Sequence, residues 1–486
     1  MLGFAGAILL LYALTHYGGI RSPDGEVVFR SCDALARDGS FAIGEGLAWR
    51  GFGIAPGPDG RLYSVFGPLQ AVACVPFARL GDTWLGADGA RAARVPAGIS
   101  YHVDGGLFDA VRGSRPADLH PHARRFFASW LNVLAGTVAA LLFLLLARTV
   151  AGRAEPALGA ALLFAVGSLA WPYAGTFFSE PLAAALALGA LALAARADRD
   201  LPGARGGGSL ALAGAGLAAG LSTAAHLTSA LFLPPLVFYA AASAPPGRRW
   251  RRMSAFVAGS ALPLAALALH NWLRFGSPLE TGRGVDPAAA AALGYGRFVA
   301  PWEGLVGLLV SSGKGLLFYS PAVLLGLAAW PALRRRSPAL AWSLAGAALL
   351  RLLFVAARSD WHGGFALGPR LLVTLVPFLL LPVAAWLAER PERWRIAGAV
   401  LLAAAAEQLY FALAEPFVYL HLTNRPDGDW AWEVSPLLHL WEAPVAPFWL
   451  AGRGVPLALA WLAGALLLLP ALALAMRRLA RSADSP

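Results

Sequence analysis

Long apolar runs separated by short polar segments dominate the chain. Each run contains about 20 residues, which is the length that an α-helix needs to cross the hydrocarbon core of a bilayer. Because no water is available in that core to bond free backbone groups, the runs are expected to be helical. The pattern predicts an all-α polytopic membrane protein with about twelve membrane helices. We place these helices at residues 2–19, 127–147, 156–173, 179–196, 209–226, 228–244, 253–273, 315–333, 338–357, 370–388, 396–414 and 455–475.

The longest interruption of this pattern, residues 20–126, predicts a large first extracytoplasmic loop. Within it, residues 27–38 predict a short amphipathic helix. Residues 64–81 are apolar but contain Pro68 and Pro76. We therefore predict a helix that lies at the membrane interface or dips into it, because a further crossing here would invert every later helix.

The composition agrees with a membrane protein, since 58% of the residues are hydrophobic, 14% are charged and the mean hydropathy is +0.60. The net charge of +11 does not indicate nucleic-acid binding, because the basic residues are concentrated in short loops. Arginines outnumber acidic residues in one set of alternate loops, which is the positive-inside pattern and predicts that both termini are cytoplasmic. The loops of this set are 148–155, 196–208, 244–252, 334–337, 389–395 and 476–486.

A short acidic motif, Asp24-Gly25-Glu26, follows the first apolar run directly. This position places two carboxylates at the boundary between water and lipid. One carboxylate is suited to accept the proton of a hydroxyl group as its oxygen attacks a sugar carbon, and the other to orient the reactants. A solvated helix end is the simpler interpretation, and the spacing alone does not decide between them.

Several further stretches, in their order and their position relative to the apolar runs, resemble the C-type membrane glycosyltransferases, the GT-C superfamily. That group includes protein O-mannosyltransferase-like enzymes and bacterial aminoarabinose transferases, and its members have many membrane helices and an acidic motif in the first outer loop. Asp24 matches that motif, with Glu26 beside it. The other stretches are Gly60–Ser64, Gly67–Gln70, Trp171–Tyr173, Phe177–Pro181, Phe275–Pro278, Ser312–Gly315, Tyr319–Pro321, Gly363–Gly364 and Gly368–Arg370.

The likeness spans roughly residues 1–390, so we predict a catalytic transmembrane module there. Residues 391–486 are predicted to add C-terminal membrane helices and an outer loop, 415–454, that is rich in tryptophan. Tryptophans in such a loop commonly anchor at the lipid headgroups. Stacking against an acceptor is the alternative role.

The resemblance implies a donor sugar carried on polyprenyl phosphate, with the lipid phosphate as the leaving group. Arginine suits bidentate phosphate binding, and Arg370 begins a predicted membrane helix on the outer side. Lys314 has a similar position at another helix. Both side chains also suit snorkelling to the interface. Glu180, His362 and Tyr63 complete the candidate substrate contacts; a first-turn acid such as Glu180 can also simply favour its helix dipole.

Neither a cofactor nor a metal is required by this chemistry, although a divalent metal stays an open alternative. His102, His120 and His122 include a His-x-His pair, but no carboxylate cluster at ligand spacing accompanies them. No phosphate-binding glycine loop occurs in the sequence. Two cysteines, Cys32 and Cys74, are expected to be unpaired, with a disulfide as the alternative.

The sequence thus predicts a glycosyltransferase of the bacterial inner membrane that inverts the sugar configuration and has its active site on the extracytoplasmic face. Its expected partners are a polyprenyl-phosphate-linked sugar, membrane lipids and an acceptor that is a glycan, a lipid or a protein. The alternatives are a twelve-helix transporter or flippase and a non-catalytic scaffold of envelope assembly. Ionisable residues within the spans also need partners, and we expect Arg351 to pair with Glu407.

Overall fold

The computed structural model of the chain describes most of its residues. The described residues are 1–20, 22–43, 53–86, 119–198, 201–202, 208–285, 297–364, 366–414, 419, 429–442, 447–450 and 456–484.

Helices make up most of this structure, and six of them are long and apolar enough to cross a membrane: Ala123–Ala151, Arg249–Phe275, Pro338–Ala356, Arg370–Leu387, Arg393–Ala412 and Ala458–Ser482. The protein is therefore a multi-pass membrane protein. All twelve segments predicted to cross the membrane lie on helices, but several are shorter or broken, so the number of crossings is not confirmed.

The described α-helices are numbered in chain order, and 3-10 helices are named by their residues. The α-helices are α1 (Leu2–Thr15), α2 (Pro23–Asp38), α3 (Pro68–Leu85), α4 (Leu119–Ala151), α5 (Ala154–Val166), α6 (Ala170–Ala174), α7 (Glu180–Arg196), α8 (Ser209–Ala225), α9 (Leu233–Ala242), α10 (Arg249–Phe275), α11 (Trp302–Val310), α12 (Leu316–Tyr319), α13 (Ala322–Ala328), α14 (Trp330–Arg336), α15 (Pro338–Ala356), α16 (Val376–Leu380), α17 (Pro382–Leu387), α18 (Arg393–Ala412), α19 (Pro436–His439) and α20 (Leu457–Asp484). The 3-10 helices are Leu227–Phe232, Arg370–Leu375, Trp432–Val434 and Leu440–Glu442.

Proline explains two departures from the predicted continuous helices. The segment 315–333 consists of α12, α13 and α14, and proline stands at the start of the second and third of these helices, at Pro321 and Pro331. Because proline has no backbone N–H and its ring clashes with the preceding turn, a continuous helix is interrupted there. The segment 370–388 likewise starts as a 3-10 helix and continues as α16 and α17.

The described part of residues 20–126 contains more regular structure than the sequence predicted. Helix α2 begins at Pro23 rather than at residue 27, so the acidic motif lies on its first turn. Helix α3 accommodates Pro68 at its start and Pro76 inside. A small antiparallel sheet was not predicted; its strands are β1 (Ala42–Ile43), β2 (Ile54–Pro56) and β3 (Leu62–Ser64), in the order β1-β3-β2.

The hydrophobic core lies between α4, α5, α7, the helices from α13 to α18 and part of α20. Its buried side chains are mostly alanine and leucine, and Phe143 stacks on Phe164 with ring centroids 4.8 Å apart. Leu401 and Met476 belong to the same cluster as these residues, so the segments on both sides of residue 390 share one core. The division into two modules at that residue stays a prediction.

Two adjacent arginines at the start of α4 bind the outer helices. Arg124 lies 2.9 Å from Asp33 of α2 and 3.4 Å from Asp82 of α3. Arg125 donates two hydrogen bonds to the fully buried carboxylate of Glu26, at 2.9 Å and 2.6 Å. These pairs hold α2 and α3 against the membrane helix α4.

The carboxylate of Glu26 also accepts a hydrogen bond of 3.0 Å from Arg30, one turn further along α2. Burial alone would raise the pKa of Glu26, but the guanidinium groups of Arg125 and Arg30 outweigh it and hold the pKa below its ordinary value. Glu26 is thus charged, and its two oxygens are occupied by arginines. Cys32 and Cys74 are free buried thiols in the apolar cluster between α2 and α3.

Helices α8 and α10 approach closely through small residues. A side chain at Gly216 of α8 would overlap the carbonyl of Phe256 of α10, and one at Gly259 of α10 would overlap the carbonyl of Ala213. Such contacts are typical of helices that associate in lipid, where packing rather than water exclusion drives association. We expect Gly216→Ala to lower the free energy of unfolding by about 1–3 kcal/mol, because neither backbone can move away freely.

Thermal unfolding in detergent micelles measures this effect, and Gly346→Ala is the matched control. Gly346 lies inside α15, where an added methyl group would lie at an ordinary distance of 3.9 Å from Pro235. This control should be unchanged or stabilised by about 0.4–1 kcal/mol. Equal stability of the two variants would contradict the close packing of α8 on α10.

Glu26→Gln should destabilise the protein by about 3–5 kcal/mol near neutral pH, because it leaves the buried guanidinium group of Arg125 without its counter-charge. The pKa of Glu26 is lowered in the folded state, so its contribution is present above the unfolded pKa and disappears as the pH falls through the folded value. The difference between variant and wild type should therefore shrink below about pH 4.3.

Unfolding monitored by circular dichroism between pH 7 and about pH 2 tests this prediction. The control is Glu392→Gln, since Glu392 and Arg390 form an exposed pair 3.7 Å apart, which should be worth less than about 1 kcal/mol. A variant at Glu26 as stable as this control would show that the buried pair does not hold α2.

Candidate active site

The acidic motif begins a well-capped helix. The hydroxyl of Ser22 accepts a hydrogen bond of 3.0 Å from the backbone N–H of Gly25, and Pro23 occupies the first turn. Serine is a favoured capping residue and proline a favoured first residue. Negative charge in the first turn also interacts favourably with the helix dipole. The local sequence thus fixes Asp24 at the beginning of α2.

Asp24 forms an ion pair with Arg370, with 2.6 Å between the carboxylate and a terminal guanidinium nitrogen. The Nε atom of the same arginine lies 3.1 Å from the carboxylate of Glu180. The guanidinium group also lies over the ring of Phe178, 4.3 Å from its centroid. Three residues predicted from the sequence are thus brought together, and we call Asp24, Glu180 and Arg370 the acid–arginine cluster.

Access to this cluster differs between its members. The side chains of Asp24 and Arg370 are about one-sixth exposed, at 16% and 15%, whereas that of Glu180 is 1% exposed. A substrate can therefore approach Asp24 and Arg370 directly. Glu180 is the buried member of the cluster and contacts Arg370.

A tight turn positions Arg370. Gly368 adopts a positive φ of 54°, and a side chain there would overlap the ring of Tyr319. Glycine therefore suits this turn, because it adopts a positive φ readily and has no side chain that would overlap Tyr319. The hydroxyl of Tyr173 donates a hydrogen bond of 2.7 Å to the carbonyl of Leu367, which joins the turn to α6.

Two buried amides position Glu180 by binding the residues before it. Gln70 of α3 donates hydrogen bonds to the carbonyls of Phe177 and Phe178, at 3.0 Å and 3.3 Å. Asn132 of α4 donates to the carbonyls of Thr176 and Phe178, at 2.8 Å and 2.7 Å. Side-chain amides, rather than the backbone N–H groups of a helix, donate to these carbonyls. The chain therefore turns here, and α7 starts at Glu180.

Lys314 lies beside the loop that leads to Arg370. Its ammonium group is buried and donates to the carbonyls of Gly364 and Ala366, at 2.7 Å and 2.8 Å. Burial lowers the pKa of Lys314 to about 8, and the positive charge of Arg370 contributes to the lowering. Lys314 thus remains mostly protonated at neutral pH, and it holds the loop that carries Arg370.

His362 and Tyr63 are the remaining predicted contacts. The Nδ1 atom of His362 accepts a hydrogen bond of 3.0 Å from the backbone of Gly364, and burial together with Lys314 lowers the pKa of His362. His362 therefore belongs to the loop held by Lys314. Tyr63 lies on β3, donates a hydrogen bond of 2.6 Å to Asp59 and packs edge-to-face on Phe275.

The metal alternative rests on residues about which little is described. His102 lies outside the described residues, as do the side chains of His120 and His122. Within the described part of the chain, no group of three or more His, Cys, Asp or Glu residues is arranged to hold a metal ion.

Sequence reasoning overlooked several residues that shape the site. Phe178 and Gln70 lie within the resembling stretches, but nothing in the sequence shows that they contact Arg370 and the start of α7. The Ser-Pro pair before Asp24 is a clear signal for the start of a helix, and it would have placed the acidic motif correctly.

Comparisons with known proteins address the fold. No protein-family model and no curated protein matches the chain. Among solved structures, ArnT from Cupriavidus metallidurans in the apo state is 14% identical with a TM-score of 0.52, over 99% of this chain and 75% of that chain. The same protein bound to undecaprenyl phosphate is 15% identical with a TM-score of 0.53, over the same shares of both chains.

The oligosaccharyltransferase of Archaeoglobus fulgidus in its apo form is 15% identical with a TM-score of 0.46, over 99% of this chain and 55% of that chain. The two ArnT structures are similar over nearly the whole of the present chain, and ArnT is an aminoarabinose transferase of the GT-C superfamily. The resemblance expected from the motifs is confirmed at the level of architecture: this chain shares its fold with the ArnT structures.

Proposed function

We propose that this protein is an integral membrane glycosyltransferase that moves a sugar from polyprenyl phosphate to an envelope acceptor. The observation that carries the proposal is the acid–arginine cluster, in which a partly accessible carboxylate and a partly accessible guanidinium group lie 2.6 Å apart. A general base and a phosphate-binding cation are the two groups that such a transfer needs. The ArnT structure with bound undecaprenyl phosphate supports a lipid phosphate as the donor group.

In the proposed reaction, Asp24 accepts the proton of the acceptor hydroxyl. The oxygen forms a bond to the anomeric carbon of the sugar, and the bond from that carbon to the phosphate oxygen breaks with inversion. The electron pair leaves with the lipid phosphate. Arg370 stabilises the charge that develops there, and a well-placed donor of this kind is worth about 3–4 kcal/mol in a poorly hydrated site.

The ion pair between Asp24 and Arg370 also suggests an order of binding. While Asp24 is bound to Arg370, its carboxylate is not free to receive a proton. A donor phosphate competes for the same guanidinium group and displaces the carboxylate. Asp24 is then released when the leaving group is in place, which limits reaction with water before the donor has bound.

Glu180 is better placed than Glu26 to assist Asp24, because it binds the same arginine. Both oxygens of Glu26 are engaged by Arg125 and Arg30, so Glu26 fixes the helix that carries Asp24. Lys314 holds the loop before Arg370, and its third N–H is available for the phosphate. His362 and Tyr63 remain proposed contacts with the substrate, at its sugar or its phosphate.

The proposed setting follows from the same reaction. The active site is on the extracytoplasmic face of the inner membrane and both termini are cytoplasmic, as the distribution of arginine predicts. No cofactor is required, because side-chain cations can neutralise a single lipid phosphate.

Asp24→Asn should abolish sugar transfer without affecting membrane insertion, because the amide cannot accept the proton. In a strain that lacks the protein, the polyprenyl-phosphate-linked sugar should accumulate, and mass spectrometry of the extracted lipids measures it. The wild-type protein should remove the accumulated lipid, and Asp24→Asn should not.

Asp38→Asn is the matched control, since Asp38 is an exposed acid at the other end of the same helix. It should restore the lipid profile as well as the wild type does. Full restoration by Asp24→Asn at equal protein level would remove Asp24 from the role of base. A deletion strain with an unchanged lipid profile would contradict the proposed donor.

Arg370→Lys should raise the KM for the donor by about tenfold or more, with a smaller effect on the acceptor, because the planar fork that binds phosphate in a bidentate manner is lost. Initial rates with each substrate varied separately measure the two effects. An unchanged KM for the donor would contradict phosphate binding by Arg370.

A further inference from the structure

Arg351 is a buried arginine for which the proposed reaction has not yet given a role. It lies on α15 and is 0% exposed. Its Nε atom donates a hydrogen bond of 2.9 Å to the carbonyl of Leu371, the residue after Arg370. Both terminal nitrogens of its guanidinium group have no hydrogen-bond partner among the described residues.

The expected pair between Arg351 and Glu407 is not among the described ion pairs; Glu407 instead accepts a hydrogen bond of 3.2 Å from Gln408. The guanidinium group of Arg351 lies 5.7 Å from the ring centroid of Phe232 and interacts electrostatically with Glu180. Arg351 therefore lies beside the turn that carries Arg370, and its charge interacts with that of Glu180 without forming one of the described ion pairs.

Leaving the N–H groups of a buried guanidinium without acceptors costs free energy. We therefore expect a second arrangement of these side chains in which the N–H groups of Arg351 are hydrogen-bonded. Two acids and two arginines lie in this part of the protein. Three are joined by ion pairs, and Arg351 is the fourth.

We propose that Arg351 is a positioning residue that takes over Glu180 when Arg370 turns to the lipid phosphate. This inference rests on the proposed function. Arg370 cannot leave Glu180 unless another cation replaces it, because an unpaired carboxylate in an apolar interior is strongly unfavourable. Arg351 is bonded to the residue after Arg370, its charge interacts with that of Glu180, and its two terminal nitrogens suit bidentate binding of a carboxylate.

A double-mutant cycle between Arg351 and Glu180 tests the proposal. The full-length protein in detergent micelles is titrated with undecaprenyl phosphate, and native mass spectrometry gives the Kd. Arg351→Gln should raise the Kd about tenfold, a coupling of the size found between charges in contact. Glu180→Gln should remove this effect, so that the double variant binds as Glu180→Gln alone does.

Two further variants guard against a loss of structure. Arg351→Lys keeps the charge but loses the planar fork, so it should lose less affinity than Arg351→Gln. Arg252→Gln is the matched control, because Arg252 is also buried but each of its three guanidinium nitrogens donates a hydrogen bond, to the carbonyls of Ala240 and Ala197 and to the hydroxyl of Ser243. It should leave the Kd unchanged.

Three outcomes of this titration would overturn the inference, and one of them would also overturn the proposed function. Equal affinity of Arg351→Gln and the wild type would overturn the inference and leave the proposed function intact. A loss of affinity that persists in the Glu180→Gln background would also overturn it, because Arg351 would then bind the phosphate itself. A wild-type protein that does not bind undecaprenyl phosphate would overturn the proposed function and the inference together.

Discussion

A charged side chain among apolar helices needs a counter-charge, and this requirement shapes the site more than any other. Arg370 satisfies it with Asp24 and Glu180, which come from different helices. The opposite charges of Arg370 and the two carboxylates stabilise one another's charged forms among the apolar helices. The three helix ends that carry them are therefore bound to one another, and the site is built before any substrate enters.

The surrounding structure serves to bring those ends together. Arg125 and Glu26 fix α2, Gln70 fixes the start of α7, and the turn at Gly368 presents Arg370. None of these contacts belongs to the regular packing of membrane helices. They are polar contacts made where helices end, which is where backbone groups lack partners within the helix.

Hydropathy was sufficient to place the helices, because the length and apolarity of a membrane segment are properties of the local sequence. The order of the motifs was sufficient to select Asp24, Glu180 and Arg370 as candidates. It could not show that they touch, since residues 24, 180 and 370 meet only through the tertiary packing of α2, α7 and the turn before α16. The small sheet was missed for a similar reason: two- and three-residue strands carry no periodic signal.

The expected pair of Arg351 and Glu407 illustrates the limit of reasoning from depth alone. Two opposite charges at comparable positions in the membrane suggested a pair, but the rotation of each helix about its axis decides which neighbour a side chain faces. Arg351 bonds to the carbonyl of Leu371 beside Arg370, and Glu407 bonds to Gln408.

The balance of charge in the site assigns different functions to Lys314 and Arg351 in the proposed reaction. Asp24, Glu180, Arg370 and Arg351 together carry no net charge, so an arriving lipid phosphate introduces negative charge that this set cannot balance. Lys314, with a pKa of about 8, is mostly protonated at neutral pH and lies within the electrostatic influence of Arg370. Arg351 then allows Arg370 to change partners, and Lys314 supplies the additional positive charge that keeps the occupied site near neutrality.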